Sequence, residues 1–187
     1  MDMSKFVPKQ SYSGSKINVS IKGNSLVLET DRRYKSRISI KRIVKPNNLF
    51  WFGIGLYEAE KSKNVIEKDG RLMASKVAFT NKDPKIIRSI LKAFEKIGIK
   101  KSSWKGELQA NINYIDKAEF EKNAPKYWSK QTGISIEKLR HYKYDKRKSK
   151  TNKKYKGKYF GILTVYQYNL CLKSFIDNFI QNIPKFQ

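Results

Sequence analysis

The stretch FWFGIGLYEAEKSK, residues 50–63, closes an apolar run with two carboxylates, Glu58 and Glu60. Around them the chain is strongly basic, with 41 Lys and Arg against 16 Asp and Glu and a formal net charge of +25. Hard divalent cations such as Mg²⁺ take carboxylate oxygens and water as ligands. Bound at a phosphodiester, they neutralise charge on the attacking and leaving oxygens. Acids set into so positive a chain are the electrostatic exception that would hold them. The competing reading is that both acids simply cap or solvate a helix end. Negative charge there opposes the helix dipole, so a purely structural role explains them poorly.

The net charge is too large for a solvated surface alone and points to a polyanion, although lysine enrichment from an AT-rich genome is a competing source of some of it. Nucleic acid is the partner expected, and not a membrane or a small-molecule substrate. No apolar run approaches the roughly 20 residues a membrane span needs, no amphipathic helix concentrates the positive charge, and the first residues carry no apolar secretory core. The expected location is cytoplasmic, associated with the nucleoid. One cysteine, Cys171, excludes a disulfide framework within the chain, and one histidine, His141, makes a Cys/His zinc site implausible.

A second feature is the run RHYKYDKRKSKTNKKYKGK, residues 140–158. Arg140, Lys143, Lys146, Arg147, Lys148, Lys150, Lys153, Lys154 and Lys158 are interleaved there with tyrosines. Each phosphate neutralised by such side chains adds about 0.9 to the logarithmic salt slope of binding without carrying sequence information. The alternative is a solvated, disordered loop.

The elements that must position these residues follow from periodicity. Residues 1–15 are polar and read as a flexible N-terminal arm. Residues 16–46 read as a β extension: Ile17, Val19 and Ile21 alternate, Gly23-Asn24 marks a turn, Leu26 to Leu28 return, and Ile38 and Ile40 alternate in a third run ended by Pro46. The main domain spans 47–187. Asn47 or Asn48 can cap a helix through the acidic stretch. Residues 72–80 read as a strand, with residues 63–67 as a possible partner across a turn at 68–71. Asp83-Pro84 opens a helix closed by Gly98, and Leu108, Ala110, Ile112 and Tyr114 alternate as a strand. Residues 117–142 read as short helices or turns, and a last strand and last helix follow. The three tryptophans and Cys171 are expected in the core.

Inside the first of these helices Gly53, Gly55 and Ala59 occupy places where bulky residues would be expected, and Gly55 and Ala59, four apart, share one face. Each interior glycine costs roughly 1 kcal/mol relative to alanine. Close approach of a second helix would compensate, and so would packing against the chain's own sheet; spacing does not separate the two.

The segment Gly53-Ile54-Gly55-Leu56-Tyr57-Glu58-Ala59-Glu60-Lys61 resembles the signature helix of the LAGLIDADG homing endonucleases, with Gly55, Leu56 and Ala59 matching and Glu58 and Glu60 standing at its two acids. The similarity continues through VAFTNKDPKIIRSILKAFEKIGI, YWSKQTGI and GILTVYQYNLCLKSFI, roughly residues 36–183. The resemblance implies an α+β fold of order αββαββα, with a saddle-shaped antiparallel sheet that enters the DNA major groove, preceded here by the β-hairpin. With one signature, the implied unit is a homodimer packed through Gly53, Gly55, Leu56 and Ala59, reading a pseudo-palindromic double-stranded site. Its implied activity is metal-dependent DNA cleavage with Mg²⁺ or Mn²⁺. Glu60 is then the first metal ligand and catalytic residue, with Glu58 a weaker ligand. Sheet-face side chains Lys76, Gln109, Asn111, Asn113, Lys143 and Tyr144 would read bases.

Three departures from the family pattern stand out. Lys61 occupies the place of a usual glycine, Glu replaces the commoner Asp, and no Lys or Arg ends the last strand at residues 166–168. Lys61, Lys63 and Lys158 are the stand-ins for activating water. Two other functions stay open: a DNA-binding protein of this fold that no longer cuts, and an RNA-binding or splicing-assisting relative.

Overall fold

The computed structural model describes residues 1–30, 35–62, 76–113, 115–146 and 159–183. Its first sheet is an antiparallel meander of β1 (Ile17–Lys22), β2 (Ser25–Thr30) and β3 (Arg37–Lys41). Gly23, at φ 58°, makes the β1–β2 turn in a backbone region that side chains disfavour. The hairpin is therefore extended by the third run into a separate sheet.

Residues 1–15, expected as a flexible arm, are held against the body instead. Met3 is completely buried, the N-terminal ammonium donates to the Val44 carbonyl at 2.7 Å, and the Tyr12 hydroxyl donates to Asp177 at 2.7 Å. The polar composition concealed two anchoring side chains and the single-residue pairings Asp2 with Ile43 and Gln10 with Lys16.

The second part alternates α1 (Asn48–Glu60), β4 (Lys76–Asn81), α2 (Pro84–Lys96), β5 (Lys105–Asn111), α3 (Lys117–Thr132), β6 (His141–Asp145), β7 (Ile162–Tyr168) and α4 (Leu170–Gln181). The chain is thus α+β. Asn47 caps α1 by accepting the Phe50 amide, and Asp83 caps α2 by accepting the Lys85 amide with Pro84 behind it. The expected strand at 63–67 and turn at 68–71 lie outside the described residues.

Two expectations are corrected here. The four-stranded sheet has order β4-β7-β5-β6 and is mixed: β4–β7 and β7–β5 are antiparallel, but β5–β6 is parallel. The cause is the second correction, because α3 is a continuous helix of 16 residues and not a set of short turns. As a crossover element it returns the chain to the end from which β5 started. Pro125 obscured this helix in the sequence. A proline there removes one backbone donor and frees the carbonyl four residues earlier; that carbonyl, of Glu121, accepts the Tyr142 hydroxyl at 3.2 Å.

Strand register sorts the sheet into two faces. Val77, Phe79, Leu163, Val165, Leu108 and Ala110 point to one side, are buried, and meet the helices. In that layer Tyr57, Phe79, Phe94 and Trp104 pack edge-to-face, with ring centroids 5.0–6.1 Å apart. α4 lies between the two sheets, and every residue from 170 to 177 is buried. Trp104, Trp128 and Cys171 are core residues as expected, and Trp51 stacks at 6.4 Å on Phe179. No helix among the described residues is long and apolar enough to cross a membrane.

Candidate nucleic-acid interface and the acidic helix end

α1 buries Phe50, Gly53, Ile54 and Tyr57, the i, i+3, i+4, i+7 face. A Cβ at Gly53 would sit 2.5 Å from the Ser89 carbonyl oxygen and 2.7 Å from Ala93 Cβ. Gly53 therefore lets α2 of the same chain approach, and its expected place in a dimer interface is corrected. Gly55 has open space where its side chain would be. Beside it, Ala59 is exposed and Leu56 partly so, and the structure adds Leu49 and Phe52, exposed by 45% and 58%. Their signal was spacing, since Leu49, Phe52, Leu56 and Ala59 recur at intervals of three and four.

The two acids differ in their surroundings. Glu58 receives the Lys61 ammonium at 2.7 Å, a half-exposed i,i+3 pair of little energetic weight. Glu60 is partly buried and makes no hydrogen bond or ion pair among the described residues. Immediately after it the chain drops onto the sheet edge: Lys61 pairs with Phe79, and the Ser62 amide donates to the Ala78 carbonyl at 2.9 Å. Lys61 does this in ordinary extended backbone, φ −61° and ψ 140°, so this turn needs no glycine. Lys63 and Lys158 lie outside the described residues.

Among the described residues the other side of the second sheet bears no helix, although Ala78, Thr164 and Tyr166 on it are buried. Register places Lys76, Ala78 and Thr80 of β4, Thr164, Tyr166 and Tyr168 of β7, Lys105, Glu107, Gln109 and Asn111 of β5, and His141, Lys143 and Asp145 of β6 on this open face. Lys76, Gln109, Asn111 and Lys143 thus come together as expected. Tyr144 does not. It lies on the helix side, 6.4 Å from the Phe120 ring, with its hydroxyl donating to the Glu121 carboxylate, and burial followed by that contact raises its pKa. Asn113 follows the strand: its amide donates to Asn111 Oδ1 at 3.0 Å and its side chain to the Lys146 carbonyl at 3.2 Å. These asparagines shape the turn at the base of the basic segment.

Arg140 and Lys146 flank β6 and are exposed, while Arg147, Lys148, Lys150, Lys153 and Lys154 lie outside the described residues. Tyr166 and Tyr168, which sequence reasoning noted only for lacking a cation, hold the Lys76 ammonium 4.3 and 5.8 Å from their ring centroids. Tyr168 is 62% exposed. The face also carries the acids Glu107 and Asp145, so it mixes donors, acceptors and aromatic surface. Compared with known protein families, characterised proteins and solved structures, the chain matches none.

Proposed function

We propose that this chain binds double-stranded DNA through the open face of its second sheet and, as a two-fold homodimer packed through the outward strip of α1, cleaves it at a pseudo-palindromic site. The observation that carries the reading is the strand register, which gathers Lys76, Lys105, Gln109 and Lys143 on one face, opposite the row of buried residues that meets the helices among the described residues. Base edges in the major groove offer acceptors to Lys and Gln, and the cytosine amino group is a donor that Glu107 or Asp145 can accept. A face with both signs suits base edges better than phosphates. Phosphates suit the flanking cations Arg140 and Lys146.

Glu60 fits a divalent metal in kind: it is a carboxylate without a partner among the described residues, at the point where α1 meets the sheet edge. One such ligand per chain needs water, a phosphate oxygen or the second copy to complete an octahedral shell. A bound Mg²⁺ or Mn²⁺ would supply charge neutralisation at the scissile phosphate. The outward strip of α1 brings the two helix ends side by side, and the open face fixes the register of the duplex. Lys61, engaged with Glu58, holds that acid in place.

Selection from a randomised duplex library in Mg²⁺ and in Ca²⁺ tests the reading. New ends at a fixed place in a near-palindromic site are expected for the parent in Mg²⁺ and not for Glu60→Gln. The Glu58–Lys61 pair favours a second reading, DNA binding without cleavage, because it leaves one acid per chain free; an enriched site with no new ends would establish it. Absence of any enriched duplex would refute both.

A further inference from the structure

On the helical side, between α2, α3 and the short 3-10 turn Lys101–Ser103, lies a cleft of about 230 Å³. Arg88, Lys92, Lys101 and Lys130 line it together with Gln131 and Thr132, and no carboxylate does. Arg88 is held in place: its Nη1 donates to Gln131 Oε1 at 2.6 Å and to the Gln131 carbonyl at 3.4 Å. Among the described residues its Nη2 and Nε have no partner, so one edge of the guanidinium fork is open to a second acceptor.

One competing explanation is that these cations serve the C-terminus of α3, which ends at Thr132 with Gly133 at φ 76°. A helix end carries only about half a negative charge. Glu95 lies 3.5 Å from the Lys101 ammonium. Four cations less one acid leaves three positive charges, and the helix end removes about half of one. More than two charges remain uncompensated in a small cleft around a fixed arginine fork. Phosphate diesters match that deficit in charge and in bidentate geometry.

We infer that this cleft is a second phosphate site, which grips the backbone of a second nucleic-acid duplex on the side of the molecule opposite the open sheet face, so that the protein bridges two duplexes. The inference rests on duplex binding by the open face as proposed above. Lys92 and Lys130 are exposed and make no ion pair among the described residues, so their reversal leaves the core intact.

The test uses the full chain and two duplexes of unrelated sequence, one on beads and one fluorescent. The parent should hold the bead duplex and retain the fluorescent one. With two phosphates engaged at the cleft, retention should fall about tenfold between 50 and 200 mM salt. Lys92→Glu/Lys130→Glu should hold the bead duplex as the parent does and lose the fluorescent one. Arg88→Lys, which keeps the charge but not the fork, should retain it weakly. Equal retention by parent and double variant overturns the second site and leaves the open face standing. Failure of the parent to hold even the bead duplex overturns both.

Discussion

Two glycines two residues apart in α1 should respond to the same substitution with opposite signs. At Gly55 nothing lies within 4 Å of a new Cβ, so Gly55→Ala gains only helix propensity, about 1 kcal/mol. At Gly53 the same methyl would meet the Ser89 carbonyl oxygen at 2.5 Å and Ala93 Cβ at 2.7 Å. Neither neighbour can rotate away, because one is backbone and the other is a Cβ fixed to its helix. α2 must shift, and overpacking of this kind costs about 1–3 kcal/mol, only part of which propensity offsets. Gly53→Ala should therefore be destabilised by about 1 kcal/mol and Gly55→Ala stabilised by about 1 kcal/mol. At about 2–4 °C per kcal/mol for a chain of this size, their melting temperatures should differ by about 4–8 °C. Urea unfolding followed by tryptophan fluorescence, at a protein concentration low enough to keep the chain monomeric, measures the difference. A Gly53→Ala variant as stable as Gly55→Ala would refute the assignment of Gly53 to the α1–α2 crossing.

Other perturbations probe what holds the helical layer together. Lys173 and Asp177 form a buried pair at 2.7 Å, 2% and 4% exposed, so Lys173→Met, which leaves the carboxylate with only the Tyr12 hydroxyl, should cost about 3–5 kcal/mol in urea unfolding. The double variant Lys173→Met/Asp177→Leu should recover most of that loss, and a Lys173→Met midpoint equal to the parent's would contradict the pair's importance. Tyr142→Phe should cost about 1 kcal/mol, since it strips the Glu121 carbonyl of its partner, and much less in a Pro125→Ala background, where a backbone amide takes the hydroxyl's place. Equal costs in both backgrounds would show that the proline and the tyrosine are not coupled.

What was legible in the sequence was whatever local chemistry dictates. Asn47, Asp83-Pro84 and the alternation of Ile17 to Ile21 and of Leu108 to Ala110 specify their elements within a few residues, so the hairpin, α1, α2, β5, β7 and α4 followed from spacing. α3 did not, because proline and a polar composition argue against a helix unless a distant hydroxyl satisfies the freed carbonyl, and Tyr142 lies on another strand. The same limit hid the ordered N-terminus: Met1 and Tyr12 carry no local signal, and their partners Val44 and Asp177 are far along the chain.

The candidate site divides along the same line. Alternation predicts that Gln109 and Asn111 share a face, and the structure agrees; it cannot say which face a strand turns outward, and Tyr144 was placed on the wrong one. For the helix, spacing of four put Gly55 and Ala59 together but left Gly53 undecided, because whether a small residue admits a neighbour from its own chain or from another depends on where α2 crosses. That crossing lies at Gly53, so α1 is pinned on one side by Gly53 and Tyr57 and free on the other at Leu49, Phe52, Gly55 and Ala59. A helix so anchored presents an apolar strip that no element of the described chain covers, and it ends in Glu60 at the sheet edge. A second molecule docked on that strip would lie beside the helix end that carries the acids, so the proposed dimer and the proposed chemistry are coupled at this end of the protein. If the chain associates through this strip and cleaves DNA as proposed, Phe52→Glu, which leaves Glu60 untouched, should abolish association in sedimentation and cleavage together; cleavage that survives the loss of association would refute the coupling.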